Sequence, residues 1–191
     1  SPEASPLALP VEAAIGYYES VAMGWEQAAF IRARVCAGDR TVGEYFLRTI
    51  RPFIWRRSLD FGAIDAITDI SRRIRDHYAS GQKFGPGYDL KRGRGGIREV
   101  EFFAQVHQLI HGGRNPELRI GATRDALTSL GHAGIIPHDD AGKLDDAYVL
   151  FRTIEHRLQM VDDLQTHALP VSVANIDNVA HLHGLGDGNT L

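Results

Sequence analysis

The 191-residue sequence is short of several things, and each shortage closes off a class of protein. It has a single cysteine, Cys36. One thiol cannot form an internal disulfide, which argues against a stapled extracellular domain and fits a reducing cytoplasm. Cys36 itself reads as a small packed residue. No apolar run approaches the ~20 residues that a membrane helix needs. No charged segment followed by an apolar one opens the chain as a secretory leader would. We therefore expect a cytoplasmic protein with no membrane contact. Alternating strand patterns are nearly missing, and no repeat of 20–50 residues is present. No Gly-x-Ser-x-Gly elbow or nucleic-acid module occurs, so nucleic acid is not an expected partner. What is there is ordinary: 43% hydrophobic and 24% charged residues exclude general disorder.

The net charge of −3 hides an asymmetry. Residues 1–100 carry 15 Lys and Arg against 12 Asp and Glu, whereas residues 101–191 carry 6 against 12. Between Arg48 and Arg98, 12 basic side chains face 5 acidic ones. A positive field on a folded scaffold suits a phosphate-bearing partner, small or polymeric. A solvated basic face is the plainer alternative.

The spacing of apolar residues is helical from Val11 onward, and the fold class expected is all-α, a helical bundle. Residues 1–10 read as an extended lead-in. Helices are predicted over Val11–Met23 and Trp25–Val35, then one opened by a Thr41-x-x-Glu44 capping box and interrupted at Pro52. Ala63–Ala79 repeats Ile64, Ile67, Ile70 and Ile74 on one face, with Arg72, Arg73 and Arg75 off it. Further helices follow over Ile97–His111, Thr123–His132, Asp139–Leu164 and Val173–His183, the last ending at Gly184. The core face of the Asp139–Leu164 helix is Leu144, Ala147, Tyr148, Phe151, Ile154, Leu158 and Val161. This longest stripe places that helix at the centre of the bundle.

The segment most suggestive of chemistry is Asp89–Phe102. Glycines let backbone N–H groups approach an anion, and the helix start that follows adds its positive dipole end. Lys91, Arg92, Arg94 and Arg98 surround Gly93, Gly95 and Gly96, which makes a phosphate cradle or, more plainly, a glycine-rich connection with solvated arginines. It is neither a P-loop nor a dinucleotide-binding turn. The next helix is apolar almost all round, yet Arg98 and Glu101 share one side of it. Buried charges are paired, so these two pair with each other or with a ligand. His107 and His111 stand at i, i+4, but no carboxylate or cysteine completes a metal site, and no metal is expected. His138-Asp139 reads as a helix start.

These residues resemble a known family. Gly95-Gly96-Ile97-Arg98-Glu99-Val100-Glu101-Phe102 with Lys91 ahead of it is similar to the motif of the glutamine synthetase adenylyltransferase/adenylyl-removing enzyme family. Arg114–Arg119, Glu155–Asp163 and Gln165–Pro170 continue the likeness, as do Tyr17-Tyr18-Glu19, Trp25-Glu26, Arg32-Ala33-Arg34 and Arg51-Pro52-Phe53 upstream. Arg32 departs from it, standing where the family usually has lysine, and the two are not equivalent at a phosphate. The resemblance implies a nucleotidyltransferase that attaches AMP to glutamine synthetase using ATP and Mg²⁺ and removes it by phosphorolysis. The PII-uridylyltransferases are a weaker match, through the glycine-rich motif.

A Gly-Ser turn and an Asp-x-Asp pair for two Mg²⁺ ions are missing. The resemblance therefore implies a fragment: residues 1–10 leading in from a nucleotidyltransferase domain, 11–170 as its helical companion, and 171–191 as the truncated start of a further helical segment. On this reading Lys91, Gly93, Arg94, Gly95, Gly96 and Arg98 contact nucleotide or phosphate, and Glu99, Glu101, Arg32 and Arg34 support them. The fragment alone is expected to be inactive and to bind no cofactor tightly. Glutamine synthetase is the expected partner, with the PII signal protein as another. A helical interaction module that binds a protein through its basic face is the alternative from a different class.

Overall fold

The computed structural model describes residues 8–57, 83–162 and 165–188, together with positions 62, 65, 68, 69, 72, 73 and 76. Helix α1 spans Val11–Ser20, α2 Gly24–Phe30, α3 Arg40–Thr49, α4 Arg51–Ile54, α5 Ile97–Gly112, α6 Thr123–His132, α7 His138–Asp162 and α8 Val173–Leu182; a 3₁₀ turn covers Pro116–Leu118. No strand is formed among the described residues, only an isolated antiparallel bridge between Asp89 and Ala168. The all-α class follows from the 3–4 spacing, as expected. No described helix is long and apolar enough to cross a membrane. The isoleucine stripe predicted over Ala63–Ala79 lies outside the described residues, as does Arg75; the described positions from 62 to 76 are helical, and Arg72 pairs with Asp69 at 3.1 Å.

Local chemistry sets the helix ends. The first turn of α3 is capped by Asp39, whose Oδ1 accepts the Thr41 N–H at 2.8 Å, in place of the expected Thr41–Glu44 box. A carboxylate two residues upstream reaches the free amide first, and Glu44 faces Arg40 instead at 3.8 Å. The chain breaks at Ile50, and Pro52 falls in the first turn of α4, where its missing N–H costs nothing. At the other end α8 closes at left-handed Gly184, with Gly184 N–H on the His181 carbonyl and Leu185 N–H on that of Ala180, both 2.9 Å.

Three apolar clusters form the core. In the first, the Tyr18 ring meets Phe30, Phe46 and Phe53 at centroid distances of 4.6, 6.0 and 5.6 Å, around buried Ile15, Ile50 and Leu109. The second joins Val100 and Ala104 of α5 to Leu118, Leu127, Leu130 and Ala141. The third joins Tyr88 and Leu90 to Ile154, Leu158, Leu169 and Val179. Burying each large side chain in these clusters contributes about 1.5–3 kcal/mol.

Helices α5 and α7 share the middle of the packing: α5 packs against α2, α6, α7 and the 3₁₀ turn and joins the first two clusters, and α7 packs against α5, α6 and α8 and joins the last two. The α7 stripe is buried at Ile154 and Leu158 and ends in exposed Val161. One expectation is corrected here. Cys36 is exposed, because it lies in the non-helical stretch after α2 with its thiol directed at the Arg34 carbonyl, 3.5 Å away.

Candidate functional site

The glycine-rich turn ahead of α5 is knitted together by its own backbone. Asp89 Oδ1 accepts the N–H groups of Lys91 and Arg92 at 2.9 and 2.8 Å, and its carbonyl accepts that of Gly93 at 2.8 Å. Gly96 donates to the Gly93 carbonyl, Ile97 to Leu90 and Arg98 to Lys91, at 3.0, 2.9 and 3.0 Å. Glu99 Oε2 accepts the Gly95 N–H at 3.0 Å. These amides are committed inside the turn and do not form the open backbone cradle suggested by the glycines. Glycine serves compactness instead. A Cβ on Gly93 would sit 2.5 Å from the Asp89 carbonyl oxygen, and Gly95 has φ +81°. The Tyr88 hydroxyl closes the turn by donating to the Arg94 carbonyl at 2.5 Å. Burial, with Glu99 and Asp89 nearby, raises its pKa and keeps it a neutral donor.

A cleft of about 590 Å³ opens between α2 and α5 beside this turn. Trp25, Ala28 and Ala29 form one wall, Arg98, Glu101, Phe102 and Gln105 the other, and Lys91 comes from the turn. Arg98 lays its guanidinium over the Phe102 ring, 5.5 Å from the centroid, and has no ion-pair partner among the described residues. The Arg98–Glu101 pairing allowed by their spacing does not form. Glu101 Oε1 accepts instead from Arg32 Nη1 at 3.2 Å and from the Tyr148 hydroxyl at 3.1 Å. Arg32 also donates to the Thr123 hydroxyl.

Lys91 is anchored from behind. Its Nζ lies 3.8 Å from Glu155 Oε1, on a side chain only 1% exposed. The same carboxylate meets Arg152 Nη1 at 2.5 Å and His167 Nδ1 at 2.7 Å. His167 is brought there by the bridge between the turn and residues 167–169, in which Leu90 N–H donates to the His167 carbonyl at 2.9 Å. A carboxylate this buried demands such partners. Sequence reasoning treated Glu155 and His167 only as parts of longer matching runs, because their partners lie far along the chain.

The remaining candidates fall elsewhere. Arg94 is exposed on the turn and does not line the cleft. Arg32 and Arg34 line a second cleft of about 610 Å³ with Thr123, Arg124 and Tyr148. Arg124 is held there by Asp145 in a bidentate pair at 2.8 and 2.9 Å. His107 and His111 stack with centroids 6.2 Å apart, and burial followed by the His111 charge lowers the His107 pKa. No group of three or more His, Cys, Asp or Glu side chains able to hold a metal occurs among the described residues.

Comparison with known proteins now places the chain. A family model described as GlnD PII-uridylyltransferase matches residues 68–190, far beyond the single glycine-rich motif, and one described as Glutamate-ammonia ligase adenylyltransferase matches residues 1–49. A bifunctional glutamine synthetase adenylyltransferase/adenylyl-removing enzyme from Caulobacter vibrioides is 50% identical over 97% of this chain, and one from Agrobacterium fabrum is 50% identical over the same share. The Rhizobium meliloti enzyme of that name is 47% identical over 97%. The chain spans 19% of the length of each of these three relatives. The chain thus belongs, as a helical segment, to the family of glutamate-ammonia ligase adenylyltransferases and PII-uridylyltransferases.

Proposed function

We propose that this chain is the helical part of a cytoplasmic bifunctional enzyme that attaches AMP to glutamine synthetase and removes it, regulating nitrogen assimilation. Lys91 and Arg98 present positive charge to the nucleotide phosphates in the cleft, and Arg94 adds to the field from the exposed side of the turn. Gly93, Gly95 and Gly96 shape the turn that carries Lys91 and Arg94, and Glu99 pins it. Glu101, Arg32 and Arg34 hold the surroundings. The observation that carries this reading is the state of Arg98: it faces a cleft with no carboxylate partner, while the nearby Glu101 is taken by Arg32. A guanidinium left uncompensated beside an ammonium suits the paired oxygens of a phosphate. Its contribution grows as charge develops at phosphorus, so it favours the transition state over the ground state.

ATP and Mg²⁺ serve the complete enzyme. The described residues contain no fitting set of metal ligands, so we assign none of them to Mg²⁺. On this reading the chain alone binds neither tightly and is catalytically inactive. The uridylyltransferase match over residues 68–190 favours a second reading, in which the parent modifies the PII signal protein. Assaying the complete enzyme for AMP transfer to glutamine synthetase and UMP transfer to PII separates the two.

In that enzyme Arg98→Ala should lower turnover at least tenfold while shifting the melting temperature little, and Arg98→Lys should restore only part. Normal kinetics with a melting temperature several degrees lower would overturn the assignment.

A further inference from the structure

The cleft beside Lys91 and Arg98 has a feature that phosphate chemistry does not use. Trp25 stands on its wall with 44% of its surface exposed, although tryptophan is among the side chains that gain most from burial. It is exposed without being loosely placed. The adjoining Glu26 is buried, and its Oε1 accepts the Met23 N–H at 3.0 Å and the Tyr17 hydroxyl at 2.8 Å, which ties the first turn of α2 to α1. Ala28 and Ala29 leave the space beside the indole open. Across the cleft the Phe102 ring is covered by the Arg98 guanidinium, whereas Trp25 lines the cleft with no cation over its ring among the described residues. Gln105 adds an amide that can both donate and accept.

A positioned indole, an amide and two cations around one cleft suit a ligand that is flat and aromatic at one end and anionic at the other. We infer that Trp25 is the base-stacking wall of a nucleotide subsite: the ring of an adenine nucleotide lies against the indole, and its phosphates reach Lys91 and Arg98. The volume of about 590 Å³ is within the ~300–1,000 Å³ usual for small-molecule pockets. The inference rests on the phosphate reading above and adds the other half of the ligand.

NMR titration of the 191-residue chain with ADP and with inorganic pyrophosphate separates the two halves. ADP should bind at least tenfold more tightly than pyrophosphate, a difference of about 1.4 kcal/mol. Trp25→Ala should erase that difference without weakening pyrophosphate, and Trp25→Phe should keep part of it. Trp55→Phe, at an indole packed against Gly112 and 5.7 Å from the Arg119 guanidinium, should leave both affinities unchanged. Arg98→Ala should weaken both ligands together. Equal binding of ADP and pyrophosphate, or a difference that survives Trp25→Ala, would overturn the base subsite and leave the phosphate reading standing. Both affinities of the chain alone should be weak, and the absence of any chemical-shift change in the cleft at the highest concentration of either ligand would overturn both.

Discussion

The two clefts on either side of the Arg32–Glu101 pair are similar in size and both lined with cations, yet they differ in the arginine at their centre: Arg32 is bonded within the fold and Arg98 has no ion pair among the described residues, as is also the case for Arg34. In the cleft lined by Arg32, Arg34 and Arg124, Arg32 is shared between Glu101 and Thr123, and Arg124 is clamped by Asp145. In the cleft lined by Trp25, Arg98 rests on an aromatic ring, and Lys91 touches its carboxylate only at 3.8 Å. The count of positive side chains does not separate a structural cluster from the cleft proposed to take a ligand. The proposal rests on which cations are already bonded within the fold.

The comparison can be broken hardest at Glu155, which supports Lys91 from behind. Glu155→Ala would leave Lys91, Arg152 and His167 facing one another around a buried gap. Removing one partner of a buried pair costs about 3–5 kcal/mol, and urea unfolding of this variant should show a loss of that order. Arg124→Ala sharpens the comparison from the other cleft. Its pair with Asp145 has ideal bidentate geometry, but the arginine side chain is 59% exposed, so the loss should stay under about 1 kcal/mol and shrink in high salt.

The smallest effect belongs to His107, which lines neither cleft. Because burial holds its folded-state pKa below the ordinary value near 6.5, the folded chain takes up this proton less readily than the unfolded one. Its contribution to stability is therefore present above pH ~6.5 and is lost as pH falls through the folded-state pKa. His107→Gln should flatten the decline of the melting temperature between pH 7.5 and 5.5 relative to the unchanged chain.

Local patterning made much of the fold legible. Thr123–His132 coincides with α6, Ile97 opens α5, and α7 begins one residue ahead of its expected start, because these ends follow from apolar spacing and from Gly96 and Pro137 just ahead of them. Relations between distant segments were not legible. Arg98 and Glu101 share a helix side three residues apart, but the partner that wins Glu101 is 69 residues from it in sequence. Glu155 and His167 stood out only as parts of the runs that resemble the family, and only folding brings Lys91 and His167 to Glu155. The α7 stripe pointed to a well-packed helix, but the neighbours that α5 gathers on several sides do not show in a single stripe. The glycines read as a possible anion cradle, whereas in the structure they allow the backbone to close on itself.

The central claim, that Arg98 is left uncompensated for a ligand while Arg32 is structural, is tested most directly by paired double-mutant cycles on the stability of the 191-residue chain. The account predicts a measurable coupling, about 0.5–1 kcal/mol, between Arg32→Ala and Glu101→Ala, whose side chains are 3.2 Å apart and partly shielded. It predicts that Arg98→Ala and Glu101→Ala are additive to within about 0.3–0.5 kcal/mol. A coupling of 1 kcal/mol or more between Arg98 and Glu101, with none between Arg32 and Glu101, would contradict it.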